Sequence, residues 1–226
     1  MNKYAIVVAA GRGQRMQSAL PKQFMLLNDK PLYTYAINCF LQYISDVQVL
    51  LILPENDSFD EDELLQYFDK KNQIKILTGG STRFESVKKG LDALPNDGIV
   101  FIHDAVRPFI TKSLLDELLN TAIEKGNAIP CIDVNDSMRK INENGNHAVD
   151  RTQYKSIQTP QVFQLDLIKK AFQQASNTSF TDDASVLENL GVSIHLIQGN
   201  AENIKITRPI DLQIASVYLE QQAGSN

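Results

Sequence analysis

Two glycines and two cations follow the first apolar run of the chain. The segment VVAAGRGQRMQSALPKQF, residues 7–24, contains Gly11, Gly13, Arg15 and Lys22. Glycine allows backbone N–H groups to approach an anion without a Cβ in the way. A dinucleotide-binding loop would have a third glycine where Met16 stands, and a P-loop would end in Gly-Lys-Ser/Thr, which this segment lacks. The cations spread along this long loop predict that it wraps a triphosphate from two sides, and the alternative is a plain turn.

A second glycine-containing loop precedes a helical pattern. The segment TGGSTRFESVKKGL, residues 78–91, has a Gly-Gly pair, two hydroxyls and Arg83 in front of the helix. Free N–H groups and the macrodipole make a helix N-terminus favourable for anions. The Gly79–Gly80 backbone would also allow a flat base to be read by main-chain hydrogen bonds. A turn followed by a capped helix is the alternative for this segment.

A carboxylate stands at the end of an apolar strand-like run. In IVFIHDAVRPF, Asp104 follows the run directly and Arg107 comes three residues later. Mg²⁺ prefers one or two carboxylates together with phosphate oxygens, so Asp104 is a candidate magnesium ligand. An Asp104–Arg107 surface ion pair is the alternative. His103 is interpreted as a packed histidine rather than a general base.

Two further cations lie later in the chain. Lys205 stands in NIKITRP, opposite Ile204 and Ile206 in a short alternating run, and Arg151 stands in the polar stretch DRTQYKS. A solvent-facing side chain is the default for each of them. Together with the loops at 7–24, 78–91 and 104–108, however, Lys205 and Arg151 complete a set of several cations and one carboxylate. This set contains no convincing nucleophile–base pair. This set favours phosphoryl or nucleotidyl transfer over hydrolysis, because that chemistry needs positioned phosphates and neutralised charge.

Strand-like and helix-like segments alternate along most of the chain. Apolar runs predict strands at 4–10, 47–53, 74–77, 98–108 and 127–132, and later strands at 193–197 and 203–207. Periodic segments predict helices at 30–42, 60–68, 84–94, 111–126, 164–175, 181–191 and 208–222. The alternation is typical of an α/β fold in which a Rossmann-like, mostly parallel sheet is flanked by helices, here as a single domain over 1–226.

Ligands of such sheets bind beyond the carboxyl ends of the strands. That rule selects the loops 9–24, 78–86, 104–108 and 203–208, where most of the unusual residues lie. The segment 133–158 departs from the alternation. It is polar, and the Asn-Gly pair in its centre is the signal of a hairpin turn. We expect two extended strands that project from the main body.

Composition narrows the classes of function. The net charge is −5 without a basic block, which disfavours nucleic-acid binding. The longest apolar runs are far shorter than the roughly 20 residues that a membrane span requires, and no signal-peptide pattern is present. We therefore expect a cytoplasmic protein without a membrane partner. The two cysteines, Cys39 and Cys131, are expected to be small buried hydrophobic residues.

Several motifs together resemble a known family of nucleotidyltransferases. The motifs are AAGRGQRM…PKQF, GGSTRFESV, HDAVRPF, DSMRK, DR…QTPQVF, TDDAS and NIKITRP. In this order, from residue 4 to about 215, they resemble the 2-C-methyl-D-erythritol 4-phosphate cytidylyltransferases of the non-mevalonate isoprenoid pathway. The opening loop alone marks only the broader sugar-nucleotide transferase fold. The combination with HDAVRPF and QTPQVF is much more specific.

The resemblance implies a reaction and a role for each motif. CTP and methylerythritol phosphate would give the CDP-linked alcohol and pyrophosphate, with Mg²⁺ required and held by Asp104. Arg15 and Lys22 would stabilise the pentacoordinate α-phosphorus, and Lys205 would assist the attack. The residues implied to hold the nucleotide are Ala10, Gly11, Gly13, Gly79, Gly80 and Ser86, the last three at the cytosine and ribose. The residues implied to surround the acceptor are Ala105, Arg107, Ser137, Arg151 and Thr159.

The resemblance also gives the polar hairpin a function. In this family the hairpin clasps a second subunit, which implies a homodimer in which Arg151 acts across the interface. Two positions depart from the common pattern, because Ser137 stands where threonine is more frequent and Arg139 where lysine often stands. Serine keeps the hydroxyl and loses a methyl group, so a modest shift in acceptor affinity is expected.

Two other functions stay open. The ribitol 5-phosphate cytidylyltransferases share the opening loop and the HDAVRPF and QTPQ motifs, although DSMRK, the VDR before QTPQ and TDDAS fit the erythritol enzymes better. Both acceptors are polyol phosphates with the same reactive group. The other alternative is a nucleotide-sensing module without catalysis. A sensor has no need of groups that act only in the transition state, which argues against it.

Overall fold

The fold is described from a computed structural model that covers residues 1–11, 21–55 and 59–223. Its helices are α1 (Leu32–Tyr43), α2 (Glu61–Leu65), α3 (Arg83–Asp92), α4 (Lys112–Lys125), α5 (Leu165–Gln174), α6 (Asp183–Asn189) and α7 (Pro209–Ala223). Its strands are β1 (Lys3–Val8), β2 (Leu26–Leu27), β3 (Lys30–Pro31), β4 (Val47–Leu53), β5 (Ile74–Thr78), β6 (Ile99–Asp104), β7 (Asn127–Asp133), β8 (Met138–Asn142), β9 (Gly145–Val149), β10 (Lys155–Ile157), β11 (Gln161–Gln164) and β12 (Leu196–Gln198).

Eight strands form one central sheet. Seven follow the order β10-β7-β11-β6-β1-β4-β5, and the eighth, β12, pairs in parallel with β7. The strands β6, β1, β4 and β5 are mutually parallel, and β11 runs antiparallel between β6 and β7. This is the mostly parallel, helix-flanked sheet that the alternating pattern predicts. It brings the carboxyl ends of four parallel strands to one edge.

Each face of the sheet carries its own helices, because successive strand residues point to opposite faces. On one face, Ala5 and Val7 of β1 pack in a cluster with residues of α1 and α4. On the other face, Ile6 packs in a cluster with residues of α3, α5 and α6. Strands buried on both sides read as continuous apolar runs, which is why they are recognisable in the sequence.

Local signals explain where several helices begin and end. The Thr111 side chain accepts a hydrogen bond from the Leu114 N–H at the start of α4, and Gly126 ends that helix in the left-handed conformation. These are the expected N-cap and C-terminal glycine. Asp182 and Ser185 form a capping box at the start of α6.

The segment 203–207 is the main error in the predicted elements, because the structure shows no strand there. It lies alongside the loop that follows β6, joined by a hydrogen bond from the Ile206 N–H to the Val106 carbonyl at 3.0 Å. A third apolar cluster, which contains Ile206, Val106 and Phe109, holds it in place under α7. The predicted strand at 98–108 also ends earlier, at Asp104.

The polar segment after β7 forms the antiparallel hairpin β8–β9, which is a two-stranded sheet separate from the central one. Asn142 pairs with Gly145 at its tip, and Gly145 has a φ of +125°, which favours glycine. The side chain of Ile141 on this hairpin is 82% exposed. We call β8–β9 the hairpin arm.

Candidate functional site

The carboxyl ends of β1, β4, β5 and β6 meet at one edge of the sheet. The register pairs Val8 with both Ile52 and Asp104, and Leu53 with Thr78. The loops that begin there are tied to neighbouring strands by backbone hydrogen bonds from Ala9 to Ile52, from Gly79 to Leu53 and from Ala105 to Val8. The strand-end rule therefore brings three of the predicted loops together, and the contact between Ile206 and Val106 adds the fourth.

Asp104 lies at the centre of a group of cations. Its Oδ2 is 2.7 Å from Lys205 Nζ and 4.0 Å from Arg107 Nε, and its Oδ1 is 3.3 Å from Arg83 Nε. Burial alone would raise the pKa of the Asp104 carboxyl, but the surrounding cations, Arg83 first and then Lys205, hold that pKa well below its usual range. The carboxylate is therefore ionised, and the cations around it outnumber it.

Arg107 is almost fully buried beside this carboxylate. One guanidinium nitrogen, Nη1, donates to the Asn203 carbonyl at 2.7 Å. Its Nε has no hydrogen-bond partner among the described residues. The alternative of a surface ion pair between Asp104 and Arg107 therefore does not describe Arg107 well. Arg107 is buried, and its shorter polar contact is to a backbone oxygen 96 residues later in the chain.

A buried histidine fixes the backbone on either side of Asp104. His103 Nε2 lies 3.0 Å from the Arg107 carbonyl, which can only accept, so Nε2 carries the proton. Nδ1 then accepts from the Thr159 hydroxyl at 2.9 Å, and the same hydroxyl accepts from the Asp104 N–H at 3.1 Å. Thr159 thus acts here as a link between His103 and the site, and His103 is packed, as expected from the sequence.

We expect the free energy of unfolding to decrease as the pH falls below 6.5, because burial lowers the pKa of His103 to about 4. In this pH range His103 becomes protonated in the unfolded chain and stays neutral in the folded chain, so the free energy of unfolding falls towards acid pH. The expected loss between pH 6.5 and pH 5 is about 2 kcal/mol. Urea unfolding at both pH values measures it. His103→Asn should lose this part of the pH dependence, whereas His147→Gln on the hairpin arm should keep it.

The Gly79–Gly80 loop is closed against the first turn of α3. A Cβ on Gly79 would lie 2.6 Å from Ser86 Oγ, and one on Gly80 would lie 2.4 Å from Glu85 Cβ. The Ser86 hydroxyl accepts from the Gly80 N–H at 3.0 Å and donates to the Thr82 carbonyl at 2.8 Å. Ser86 is fully buried, so its hydroxyl holds the loop in shape. The pair of glycines is required here by close packing.

Lys22 begins a 3-10 helix at the same edge. Its Nζ is 3.5 Å from the carbonyl oxygen of Ile206, the residue after Lys205. The neighbouring Gln23 is buried, and its amide donates to the Ala9 carbonyl, which anchors the segment to the end of β1. Gly13 and Arg15 lie outside the described residues. Ala10 and Gly11 come one residue after the end of β1, and a Cβ on Gly11 would meet no described atom within 4 Å.

The remaining predicted residues lie farther along the chain. Ala105 is buried directly after Asp104. Ser137 and Arg151 are exposed at the base of the hairpin arm, where the Arg151 guanidinium donates to the Asn135 carbonyl. No contact recorded for the described residues joins either of them to the Asp104 cluster. The structure thus brings Lys22, Asp104, Arg107, Thr159 and Lys205 to one edge and leaves the two arm residues outside that cluster.

Sequence reasoning missed the partner of Arg83. The segment that contains this arginine was expected to favour a bound anion at the helix N-terminus. Instead the Arg83 guanidinium is engaged by two carboxylates, Asp183 and Asp104. Asp183 is 100 residues away in sequence, and the only available signal was the pair of aspartates in TDDAS.

The part of the chain that the structure describes contains no cluster of three or more histidine, cysteine, aspartate or glutamate side chains that would hold a metal ion. Over those same ranges, no helix is both long and apolar enough to cross a membrane.

Comparisons with known proteins agree on one family. The family model described as 2-C-methyl-D-erythritol 4-phosphate cytidylyltransferase matches residues 4–221. A relative of that name from Bacteroides fragilis is 43% identical over 219 residues, which cover 97% of this chain and 100% of the relative. Another from Geobacillus kaustophilus is 38% identical, with 97% of each chain covered.

Solved structures give the same result. The 4-diphosphocytidyl-2C-methyl-D-erythritol synthase from Anaerococcus prevotii superimposes with a TM-score of 0.83 at 26% identity, covering 97% of this chain and 96% of the other. The 2-C-methyl-D-erythritol 4-phosphate cytidylyltransferase from Thermus thermophilus gives a TM-score of 0.78 at 27% identity, covering 95% and 98%.

Proposed function

Because the chain belongs to the 2-C-methyl-D-erythritol 4-phosphate cytidylyltransferase family, we propose that it transfers CMP from CTP to 2-C-methyl-D-erythritol 4-phosphate. The products are 4-diphosphocytidyl-2-C-methyl-D-erythritol and pyrophosphate, on the route to isoprenoid precursors. The observation that carries the proposal is the ion cluster of Lys205, Asp104 and Arg107 at the carboxyl edge of the sheet. Lys22 and the Gly79–Gly80 loop lie at the same edge.

The reaction makes one P–O bond and breaks another. A phosphate oxygen of the acceptor attacks the α-phosphorus of CTP, and the bond from the α-phosphorus to the bridging oxygen of pyrophosphate breaks. Negative charge grows on the α-phosphoryl oxygens and on the leaving group. Preorganised cations are the usual means of stabilising that charge. We assign Lys22 and Arg15 to the triphosphate, and Lys205 to the attacking phosphate.

Nucleotide binding is assigned to two loops, the one that follows β1 and the Gly79–Gly80 loop that follows β5. The Gly79–Gly80 backbone, held in shape by the buried Ser86 hydroxyl, would face the cytosine and ribose, while Ala10, Gly11 and Gly13 would lie along the phosphates. Glycine at positions 11 and 13 lets phosphate oxygens approach the backbone closely.

We propose that the nucleotide substrate is the magnesium complex of CTP. Both oxygens of Asp104 already have cation partners, and the described residues contain no cluster of three or more potential metal ligands. A resident protein magnesium site would need more oxygen ligands than Asp104 alone supplies. The ion would therefore arrive on the triphosphate, which supplies most of its ligands, and Asp104 would be the protein carboxylate that joins them.

The acceptor would bind between the ion cluster and the hairpin arm. Lys205 is only partly buried, so its ammonium group is suited to phosphate oxygens, and the buried Arg107 adds positive charge beside it. Thr159, Ala105 and Ser137 would line the polyol. We propose a cytoplasmic homodimer in which the partner subunit's Arg151 completes this site. The exposed hairpin arm with its exposed Ile141 supports that assembly.

Pyrophosphate release with two acceptors tests the proposed function. Methylerythritol phosphate and ribitol phosphate are each supplied with CTP and with ATP. Turnover with CTP and the first acceptor alone is the expected result. Turnover with ribitol phosphate and CTP would instead support the ribitol 5-phosphate enzymes, and the absence of turnover with every pair would support a nucleotide sensor.

Arg151→Ala is expected to weaken binding of the acceptor and to leave binding of the nucleotide unchanged. Losing a charge-assisted contact to phosphate should raise the dissociation constant of methylerythritol phosphate by about 10-fold to 100-fold. The affinity for CTP should stay unchanged, because the contact proposed for Arg151 is with the acceptor and not with the nucleotide. Calorimetric titration of each ligand measures both, with the exposed Lys140→Ala on the same arm as the control. Normal acceptor affinity in Arg151→Ala would remove Arg151 from the site.

A further inference from the structure

Arg83 occupies a position that is electrostatically unfavourable by itself. It is the first residue of α3, directly after the N-cap Thr82. The N-terminus of a helix carries partial positive charge, so a cation there is not stabilised by the macrodipole. Its guanidinium nevertheless makes three charged contacts. Nη1 and Nη2 donate to the two oxygens of Asp183 at 2.9 and 2.7 Å, and Nε donates to Asp104 Oδ1 at 3.3 Å.

Asp183 is fixed independently of Arg83. It is 1% exposed and begins α6 directly after the cap Asp182. The buried Gln161 of β11 holds this turn, because its amide nitrogen donates to Asp182 Oδ2 and its amide oxygen accepts from the Ala184 N–H, both at 2.8 Å. Gln161 is itself paired with β6. Asp183 is therefore attached to the sheet, next to the strand that ends in Asp104.

From this geometry we infer that Arg83 and Asp183 form a positioning pair that acts through Asp104. The inference rests on the proposed cytidylyl transfer. Asp183 accepts one N–H group from each terminal nitrogen of Arg83, and the third nitrogen, Nε, donates to Asp104 Oδ1. The other oxygen of Asp104 is thereby presented to Lys205. Neither Arg83 nor Asp183 is assigned a contact with substrate.

Structural stabilisation alone is a poor explanation of this pair. Taking two charges out of water costs so much that a buried ion pair is weak evidence for stability, whereas removing one partner leaves an unpaired charge. If Asp183 is neutralised, the guanidinium keeps only Asp104 as a carboxylate partner. We expect it to turn its fork onto Asp104 and compete with Lys205, because Arg binds a carboxylate best through two N–H groups.

A double-mutant cycle tests the inference. Asp183→Asn should lower kcat by on the order of 100-fold, the size expected for a misplaced catalytic group. The dissociation constant of CTP should change by less than about threefold, because the Gly79–Gly80 loop has its own hydrogen bonds to Leu53 and Ser86. In an Asp104→Asn background, Asp183→Asn should change kcat by less than about threefold, because the group through which it acts is absent.

The controls separate positioning from folding. Asp116→Asn removes the partner of Lys112 in an exposed ion pair on α4 and should leave kcat unchanged. Arg83→Lys keeps a cation opposite Asp183 but loses the planar fork, so it should fold and still lower kcat, which tests the inference if Asp183→Asn does not fold. Urea unfolding reports the stability of each variant.

Each outcome has a distinct meaning. If Asp183→Asn lowers kcat equally in the wild-type and the Asp104→Asn background, the pair is purely structural and the inference is overturned. The proposed function would still stand in that case, provided that the wild-type protein turns over its substrates. Full kcat in both Asp183→Asn and Arg83→Lys would also overturn it. Absence of turnover in the wild-type protein would contradict the proposed function itself and this inference with it.

Discussion

Lys22→Ala should lower kcat by about 100-fold to 1,000-fold while changing the KM for CTP only a few-fold. Removing one preorganised donor from a transition-state site typically costs about 3 to 4 kcal/mol. The Lys22 segment is anchored at the end of β1 by Gln23, and Lys22 Nζ reaches the carbonyl of Ile206, beside Lys205. In the proposed mechanism its charge stabilises the negative charge that develops as the α-phosphorus is attacked.

Steady-state pyrophosphate release at varied CTP measures this effect. Lys30→Ala, an exposed lysine on β3, is the matched control and should behave as the wild type. An unchanged turnover number in Lys22→Ala would remove this residue from the mechanism. A rise in KM without a fall in kcat would mean that Lys22 binds the ground state and the transition state equally.

Lys205→Met should lower kcat/KM for the acceptor by on the order of 100-fold or more, because it removes the cation that lies 2.7 Å from Asp104. Methionine retains much of the apolar stem, so the packing of the neighbouring Ile206 should be retained. The same change should raise the pKa of Asp104, since Lys205 is one of the cations that depress it.

The conservative variant makes this prediction specific. Lys205→Arg keeps the charge and should recover part of the lost activity, whereas Lys75→Met on the exposed side of β5 should leave activity intact. Carboxyl NMR titration of Asp104 reports the pKa change. Wild-type activity in Lys205→Met would exclude Lys205 from the attack and leave the Asp104 cluster without its proposed role.

Local sequence patterns are sufficient to predict the sheet and the edge at which the candidate site lies. Buried strands such as β1 and β4 are continuous apolar runs, and the caps of α4 are readable from Thr111 and Gly126. Because parallel strands end at one edge, the loops after β1, β5 and β6 were expected to meet. The segment around Lys205 was misread as a strand, since alternation alone cannot distinguish a strand from an extended segment held by α7 and the Val106 loop.

The pairing within the site depends on distant contacts. The loop that contains Arg83 was interpreted as favourable for a bound anion, because nothing near it in sequence shows that Asp183 occupies the Arg83 guanidinium. In the same way, Asp104 was interpreted chiefly as a metal ligand. Its neighbours Lys205 and Arg83 lie in other loops, and only the folded chain shows that they engage both of its oxygens. Its role towards magnesium stays a prediction.

The central claim is that side chains from separate loops contact one bound nucleotide. A crystal structure of the chain with CTP and magnesium tests it most directly. We expect the cytosine against the Gly79–Gly80 backbone, the triphosphate in contact with Lys22, and the α-phosphorus facing Lys205 across the Asp104 edge. A nucleotide bound at another face of the sheet, or a triphosphate out of reach of both lysines, would contradict the proposed active site.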